Sequence, residues 1–342
     1  MKKHYLVLIL TVLLFPALLF GQGSRDKSTT ESESLTVYAY DSFVSEWGPG
    51  PTIVKEFEQK EGIKVNLISA GNGGELLGRL MLEKERPKAD IVIGLSNELL
   101  HDALKSDLFR AYNSPKLAEI PNFLHFDASY KLLPFNWGSF AFVYDSRKIS
   151  TPPTSFEDLL DSQYRKSLIL IDPRTSNVGM GLLEWTIAVY GDDYLKWWEQ
   201  VKPNVLTIAD GWSSGYGLFT EGEAPIVISY TTSPVYHILF EDSDVFKAVA
   251  FEEGNLAVVE GAAILKSSSK VEQAQKFIDF LLSDAQQEIA IANVMYPANA
   301  SVELPEAFDQ LVEVKKSLFL ESDIIASKRD TWLNEWTEVM SK

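Results

Sequence analysis

The sequence contains no cysteine and only four histidines among its 342 residues. Without cysteine the chain can form no disulfide, no thiolate metal site and no cysteine nucleophile. The histidines stand at no spacing typical of metal ligands, and the chain has no Walker sequence and no H-E-x-x-H motif. We therefore predict no metal site, no catalytic residue and no cofactor.

Basic residues are also scarce, with 31 Lys and Arg against 48 Asp and Glu. The resulting net charge of -17 disfavours nucleic acid as a partner, because phosphates call for a basic surface. It is compatible with a cationic ligand. The hydrophobic fraction of 46% is that of a globular protein, and the length suggests two domains.

The N-terminal residues 1–23 have the pattern of an export signal. Lys2 and Lys3 precede an apolar run that ends at Phe20, and small residues follow it. We predict a signal peptide that is cleaved before Ser24 and an exported protein. An uncleaved anchor is the alternative, although the run is shorter than the ~20 residues of a membrane-spanning helix. The polar residues 24–34 are predicted to be a flexible leader.

Strands and helices alternate in the first third of the chain. Residues 35–40, 63–68 and 89–94 are rich in β-branched and aromatic side chains, and a helical pattern follows each of them. This order predicts a parallel sheet built from βαβ units. The fold class is therefore α/β.

Two later segments predict a second lobe with more than one chain crossing. Residues 140–144 resemble a strand that leaves the first lobe, and residues 256–264 resemble a strand that returns to it. We predict lobe 1 at residues 35–140 and 256–342, and lobe 2 at residues 141–255. Hinge crossovers between two lobes are typical of proteins that close over a ligand in a cleft.

Five aromatic residues stand beside Gly, Pro and Ser rather than in regular apolar patterns. We predict that they lie on loops at strand ends and line the cleft, where they would suit a flat cationic ligand. The alternative is that they fasten loops to the core. These residues are Tyr40, Trp47, Trp212, Tyr230 and Tyr236.

Two strand-to-helix turns carry polar residues that could contact a ligand. Ser176 and Asn177 are typical N-cap residues, and the free N–H groups of that helix could bind an anion beside Arg174. Plain helix capping explains the first two equally well. Asn72 and Gly73 lie in a glycine-rich turn that lacks the full dinucleotide-binding spacing.

Ten blocks in order resemble the periplasmic thiamine-binding proteins of bacterial ABC importers. The resemblance extends from about Leu35 to the region of Trp336. The blocks are residues 36–43, 47–51, 88–95, 140–145, 172–176, 211–213, 216–219, 229–234, 236–237 and 295–297.

This resemblance implies a type II periplasmic binding fold, a periplasmic location and no enzymatic activity. The ligand would be thiamine, thiamine monophosphate or thiamine diphosphate, which the protein would deliver to an ABC transporter permease. The five aromatic residues match aromatic positions of the family's pocket. Ser176 matches a position near the ligand's phosphate end.

The chain departs from the family at two positions. Asn72 stands where relatives can have an Asp, and Val294 stands where they can have a Trp. At about 1 kcal/mol per contact, both changes would weaken binding by about thirtyfold. Three alternatives stay open: a binder of another cationic solute, a ferric-ion binder, and a carboxylate-dependent enzyme acting on a thiamine-like heterocycle.

Overall fold

We describe the protein from a computed structural model, which covers residues 34–341. The predicted signal peptide and residues 24–33 of the predicted leader lie outside the described residues. Within residues 34–341, no helix is both long enough and apolar enough to cross a membrane.

Most of the strands are short and buried. Two long strands, which are also buried, lie in the middle of the sheet. In chain order they are β1 (Leu35–Ala39), β2 (Val65–Ser69), β3 (Ile91–Ser96), β4 (Phe109–Arg110), β5 (Leu133–Asp145), β6 (Leu168–Ile171), β7 (Val205–Ala209), β8 (Ile226–Tyr230), β9 (Phe246–Ala248), β10 (Asn255–Leu265), β11 (Tyr296–Pro297) and β12 (Ser317–Leu318).

Helices follow most of the parallel strands, as the sequence pattern predicts. They are α1 (Asp41–Val44), α2 (Gly50–Glu61), α3 (Gly73–Leu82), α4 (Leu100–Ser106), α5 (Asn177–Tyr190), α6 (Tyr194–Val201), α7 (Trp212–Thr220), α8 (Pro234–Glu241), α9 (Val271–Leu281), α10 (Gln286–Glu288) and α11 (Ser322–Ser341). A π-helical turn, Ile289–Asn293, extends α10.

The sheet consists of two groups of parallel strands. Strands β2, β1 and β3 are parallel neighbours in what we call the first lobe. Strands β7, β6 and β8 are parallel neighbours in the second lobe. The full order is β2-β1-β3-β10-β5-β8-β6-β7.

Strands β5 and β10 connect the two groups. The first half of β5 pairs with β10, and its second half, from Phe140 onward, pairs with β8. Strand β10 returns antiparallel between β5 and β3. The sheet is therefore mixed rather than wholly parallel, because the returning strand enters it from the opposite direction. The exact lobe limits remain a prediction.

Helix α11 packs against both lobes. Trp336 is buried and lies edge-on against Trp198 of α6, with ring centroids 5.7 Å apart. Nearer its start, Arg329 lies 4.0 Å from the carboxylate of Asp102 on α4. The C-terminal helix thus bridges the two halves of the molecule.

The parallel strands of both lobes end on the same cleft. Tyr40 follows β1, Asn72 follows β2, and Gly211 follows β7. In open α/β sheets, ligands bind outside the carboxyl ends of the strands. The topology therefore brings residues far apart in sequence to one place.

Candidate functional site

A cavity of about 380 Å³ lies between the two lobes. Its size is within the range of small-molecule sites. Eight of the ten residues predicted from the sequence line it: Tyr40, Trp47, Asn72, Gly73, Asn177, Trp212, Tyr230 and Tyr236.

Two indole rings from opposite lobes meet in the lining of the cavity. Trp47 and Trp212 have ring centroids 6.2 Å apart with an interplanar angle of 51°. Trp47 is 48% exposed, whereas the Trp212 Nε1 donates a 2.7 Å hydrogen bond to Ser229 Oγ. The Trp212 ring is therefore anchored in its own lobe by a hydrogen bond, whereas about half of the Trp47 side chain is exposed to solvent.

Helix starts from both lobes also meet at the cleft. A Cβ atom placed on Gly73 would lie 3.2 Å from the Asn177 side chain, and one placed on Gly211 would lie 2.9 Å from Asn72 Oδ1. The starts of α3, α5 and α7 thus converge. Their free backbone N–H groups and positive dipole ends favour a negatively charged or polar ligand group nearby.

A buried polar cluster forms the base of the cavity. Glu260 Oε2 accepts hydrogen bonds from the Tyr40 hydroxyl at 3.0 Å and from Asn136 Nδ2 at 2.7 Å. The Tyr40 hydroxyl also lies 3.1 Å from Asn293 Oδ1. Asn293 is the last residue of the π-helical turn, a feature often found at functional sites.

Burial controls the ionisation of this cluster. It raises the pKa of Glu260 to about 7, with the hydrogen bonds from Asn136 and Tyr40 opposing the rise and the nearby Glu98 adding to it. Burial also raises the pKa of Tyr40 well above its usual value. The Tyr40 ring packs against β3 at Gly94, where the φ of +105° and the missing Cβ leave room for it.

The opposite wall belongs to the second lobe. Tyr230 stacks on Phe140, with ring centroids 5.2 Å apart. Tyr216 stacks on Trp212 at 5.1 Å, and its hydroxyl lies 3.0 Å from His237 Nε2. Rings fixed by stacking and hydrogen bonds offer flat faces at little entropic cost.

The cavity lining is acidic. Asp41, Glu241 and Glu260 line it, and among the described residues no lysine or arginine does. Aromatic faces and carboxylates without basic partners attract cations. The site is therefore suited to a flat, positively charged heterocycle.

The structure does not bring Arg174 and Ser176 to the cavity wall. The Arg174 guanidinium pairs with Asp172, its Nε lying 2.9 Å from Oδ1, and it packs over the Trp336 ring at 5.6 Å. Ser176 is buried, and its hydroxyl accepts a 3.3 Å hydrogen bond from the backbone N–H of Val178. The helix-capping interpretation accounts for Ser176, and a nearby carboxylate accounts for Arg174.

Sequence reasoning placed the five aromatic residues on loops, and this was wrong for Trp212 and for Tyr236, which lies in helix α8. Trp212 is the first residue of helix α7, and Tyr216 follows one turn later on the same face. The four-residue spacing of these two rings was the signal for a helix. Glu260 and Asn293 were missed altogether, because nothing in their local sequence distinguishes them.

Residues 211–215 also match the G-x-S-x-G spacing of a hydrolase nucleophile elbow. That motif requires a strained, left-handed serine, whereas Ser213 lies in helix α7 and has no positive φ. His237 also lines the cavity, and its two ring nitrogens contact Tyr216 and Glu241. These residues do not form a nucleophile and base pair.

Two lobes joined by long crossing strands, with an aromatic cleft between them, define the class of solute-binding proteins. The family model for bacterial extracellular solute-binding proteins matches residues 86–328, more than half of the chain. The chain belongs to this family.

Three similar proteins are informative. The thiamine-binding periplasmic protein of Brucella abortus biovar 1 (strain 9-941) is 39% identical over 340 residues, 98% of this chain and 99% of that protein. The thiamine-binding periplasmic protein of Escherichia coli (strain K12) is 42% identical over 310 residues, 90% of this chain and 94% of that protein. A solved structure of a periplasmic thiamin binding protein superimposes with a TM-score of 0.86, at 41% identity over 90% of this chain and 96% of that one.

These relatives confirm the predicted α/β two-lobed periplasmic binding fold and a binding role rather than an enzymatic one.

Proposed function

We propose that the protein captures thiamine between its two lobes in the periplasm and delivers it to an ABC transporter permease. The observation that carries this proposal is the lining of the cavity: two indole rings from opposite lobes, and three carboxylates with no lysine or arginine among the described lining residues. Thiamine combines a permanently charged thiazolium ring with a flat aminopyrimidine. The names of the relatives support the same ligand and location.

We also propose the ten sequence-predicted residues as the candidate site. Eight of them line the cavity, where they can contact the ligand, whereas Arg174 and Ser176 stabilise the neighbouring structure without contacting it. Thiamine monophosphate and thiamine diphosphate are further candidate ligands. Support for them comes from the converging helix starts near Gly73, Asn177 and Gly211. Since no lysine or arginine is available in the described lining, added phosphate charge would be met mainly by backbone N–H groups. We expect the diphosphate to bind no more tightly than thiamine.

Export by a cleaved signal peptide is part of the proposal. Mass spectrometry of the protein from its host should give a mature chain that begins near Ser24. A chain that retains residues 1–23 would instead support the membrane-anchor alternative.

Tryptophan fluorescence tests the ligand. We expect thiamine to quench the emission and to raise the melting temperature, because a ligand that binds only the native state stabilises it. Trp212→Phe should reduce the amplitude of the quench. Trp137→Phe is the matched control, since Trp137 is partly buried against Tyr296 and lies outside the cavity.

If neither thiamine nor its esters changed the fluorescence or the melting temperature, the ligand assignment would be wrong.

Closure of the lobes has a separate readout. X-ray scattering should show a smaller radius of gyration with thiamine than without it. Equal radii would argue that the contact between Trp47 and Trp212 is permanent.

A further inference from the structure

Glu260 occupies a special place in the sheet. It lies on β10, the strand that joins the two lobes, opposite Ser96 of β3 and Asn136 of β5. The register of the pairing with β5 shifts between Glu260 and Gly261, and that of the pairing with β3 shifts between Gly261 and Ala262. Such bulges re-aim side chains next to binding sites, and this side chain lines the cavity while being only 4% exposed.

The carboxylate has unused capacity to accept a hydrogen bond. Both of its protein partners, the Tyr40 hydroxyl and Asn136 Nδ2, donate to Oε2. Among the described contacts, none reaches Oε1. Because a carboxylate has two acceptor oxygens, Oε1 is available to a ligand in the cavity.

The structural role of Glu260 does not require a charge. A glutamine at this position could accept both hydrogen bonds through its side-chain oxygen and would avoid the cost of burying a carboxylate. The titratable groups that face Glu260 are the phenols of Tyr40 and Tyr230 and the carboxyl of Glu98. None of them supplies a positive charge.

The other acidic residues of the cavity are less suited to pair with a cation. The Asp41 carboxylate is exposed and is bonded by the Ser69 hydroxyl. Glu241 is bonded to His237 at 2.6 Å, and its side chain is 49% exposed, so water screens its charge. Asn72, where relatives can have an Asp, carries no charge.

We propose that Glu260 is the counter-ion of the bound thiazolium and the residue that selects a cationic heterocycle over a neutral one. This inference rests on the proposed thiamine function. The ligand's positive charge replaces the cation that the protein does not provide. Tyr40 and Asn136 then act as positioning residues that hold the carboxylate.

Proton release on binding follows from this arrangement. A bound cation favours the carboxylate form, and the unliganded Glu260 has a pKa of about 7. Affinity should therefore be full above pH 8 and fall by up to about tenfold for each pH unit below 7. The neighbouring phenols stay protonated in this range, because burial raises the pKa of Tyr40 and Tyr230. His237, Asp41 and Glu241 also line the cavity, so only the difference between the wild type and Glu260→Gln reports Glu260.

The experiment compares two ligands on two proteins at pH 8. The ligands are thiamine and its neutral isostere in which carbon replaces the thiazolium nitrogen. For the wild type, we expect thiamine to bind at least about thirtyfold more tightly than the isostere. Glu260→Gln should weaken thiamine binding by a similar factor, leave the isostere nearly unchanged and remove the discrimination. Glu253→Gln is the matched control, because it changes a partly buried carboxylate outside the cavity.

The possible outcomes separate the two hypotheses. If Glu260→Gln weakened both ligands equally, or neither of them, the counter-ion role would be overturned while thiamine binding stood. If the wild type bound neither ligand, the proposed function and this inference would both fail. Calorimetry of the wild type at pH 7 in two buffers with different ionisation enthalpies is a second measurement. Thiamine binding without proton release would also overturn the inference.

Discussion

The cost of burying Glu260 predicts that Glu260→Gln stabilises the unliganded protein. The carboxyl has a pKa of 4.5 as a free side chain and about 7 in the folded protein. This difference corresponds to about 3 kcal/mol of free energy of unfolding once the group is ionised in both states. Glutamine keeps the acceptor for Tyr40 and Asn136 and does not pay this cost.

The stability difference between Glu260→Gln and the wild type should depend on pH. Below pH 4.5 the carboxyl is protonated in both the folded and the unfolded chain, so the charge costs nothing. Between pH 4.5 and 7 the unfolded chain loses its proton first, and the wild-type protein loses stability as the pH rises. Above pH 7 the loss is complete. The advantage of Glu260→Gln should therefore be near zero at pH 4 and largest at pH 8.

Thermal unfolding without ligand measures this effect. For a chain of this length, about 3 kcal/mol corresponds to a rise in melting temperature of roughly 5 °C at pH 8. An advantage of the same size at pH 4 and pH 8, or a less stable variant at pH 8, would refute the reasoning. Together with weaker thiamine binding, the expected result would show that the charge is kept for the ligand at a cost in stability.

Three further substitutions test other parts of the molecule. Gly211→Ala places a methyl group against Asn72 across the cleft, so thiamine titration should show binding about threefold to tenfold weaker. The melting temperature of its unliganded form checks that the variant is folded, and unaltered affinity would contradict the closed geometry. Val294→Trp adds a ring to the cavity wall, so titration should show binding about fivefold tighter. It also removes a β-branched residue from a position with φ 54°, where such residues are strained. Weaker binding would mean that the ring does not fit. Trp336→Ala removes the ring packed on Trp198 and should lower the free energy of unfolding, measured with denaturant, by about 3–5 kcal/mol. A smaller loss would mean that the packing of α11 contributes little to stability.

Local patterns were sufficient for most of the secondary structure. The strands predicted at residues 35–40 and 63–68 lie within a few residues of their predicted positions. The exceptions arise from tertiary contacts. Helix α7 was read as a loop because its Gly and Ser residues have low helix propensity, yet Trp212 and Tyr216 stack on one face.

Part of the candidate site could also be predicted from composition. Large rings beside Gly, Pro and Ser, in an acidic chain without cysteine, indicated an aromatic cleft for a cation. Tyr40 and Trp212 do line one cavity. Arg174 shows the limit of this reasoning, since an arginine beside a helix start looks like an anion ligand until Asp172 is seen to hold it.

The sequence by itself determined the class of the elements, the acidic character, the absence of thiol chemistry and the aromatic residues of the cleft. These depend on side-chain type and on spacing along the chain. Only the tertiary structure places Glu260 in the lining of the cavity. The orientation of its carboxylate depends on hydrogen bonds from Tyr40 and Asn136, which lie more than a hundred positions away in the sequence. Burial, the free Oε1 atom and the missing counter-ion are properties of packed neighbours, which no local pattern records.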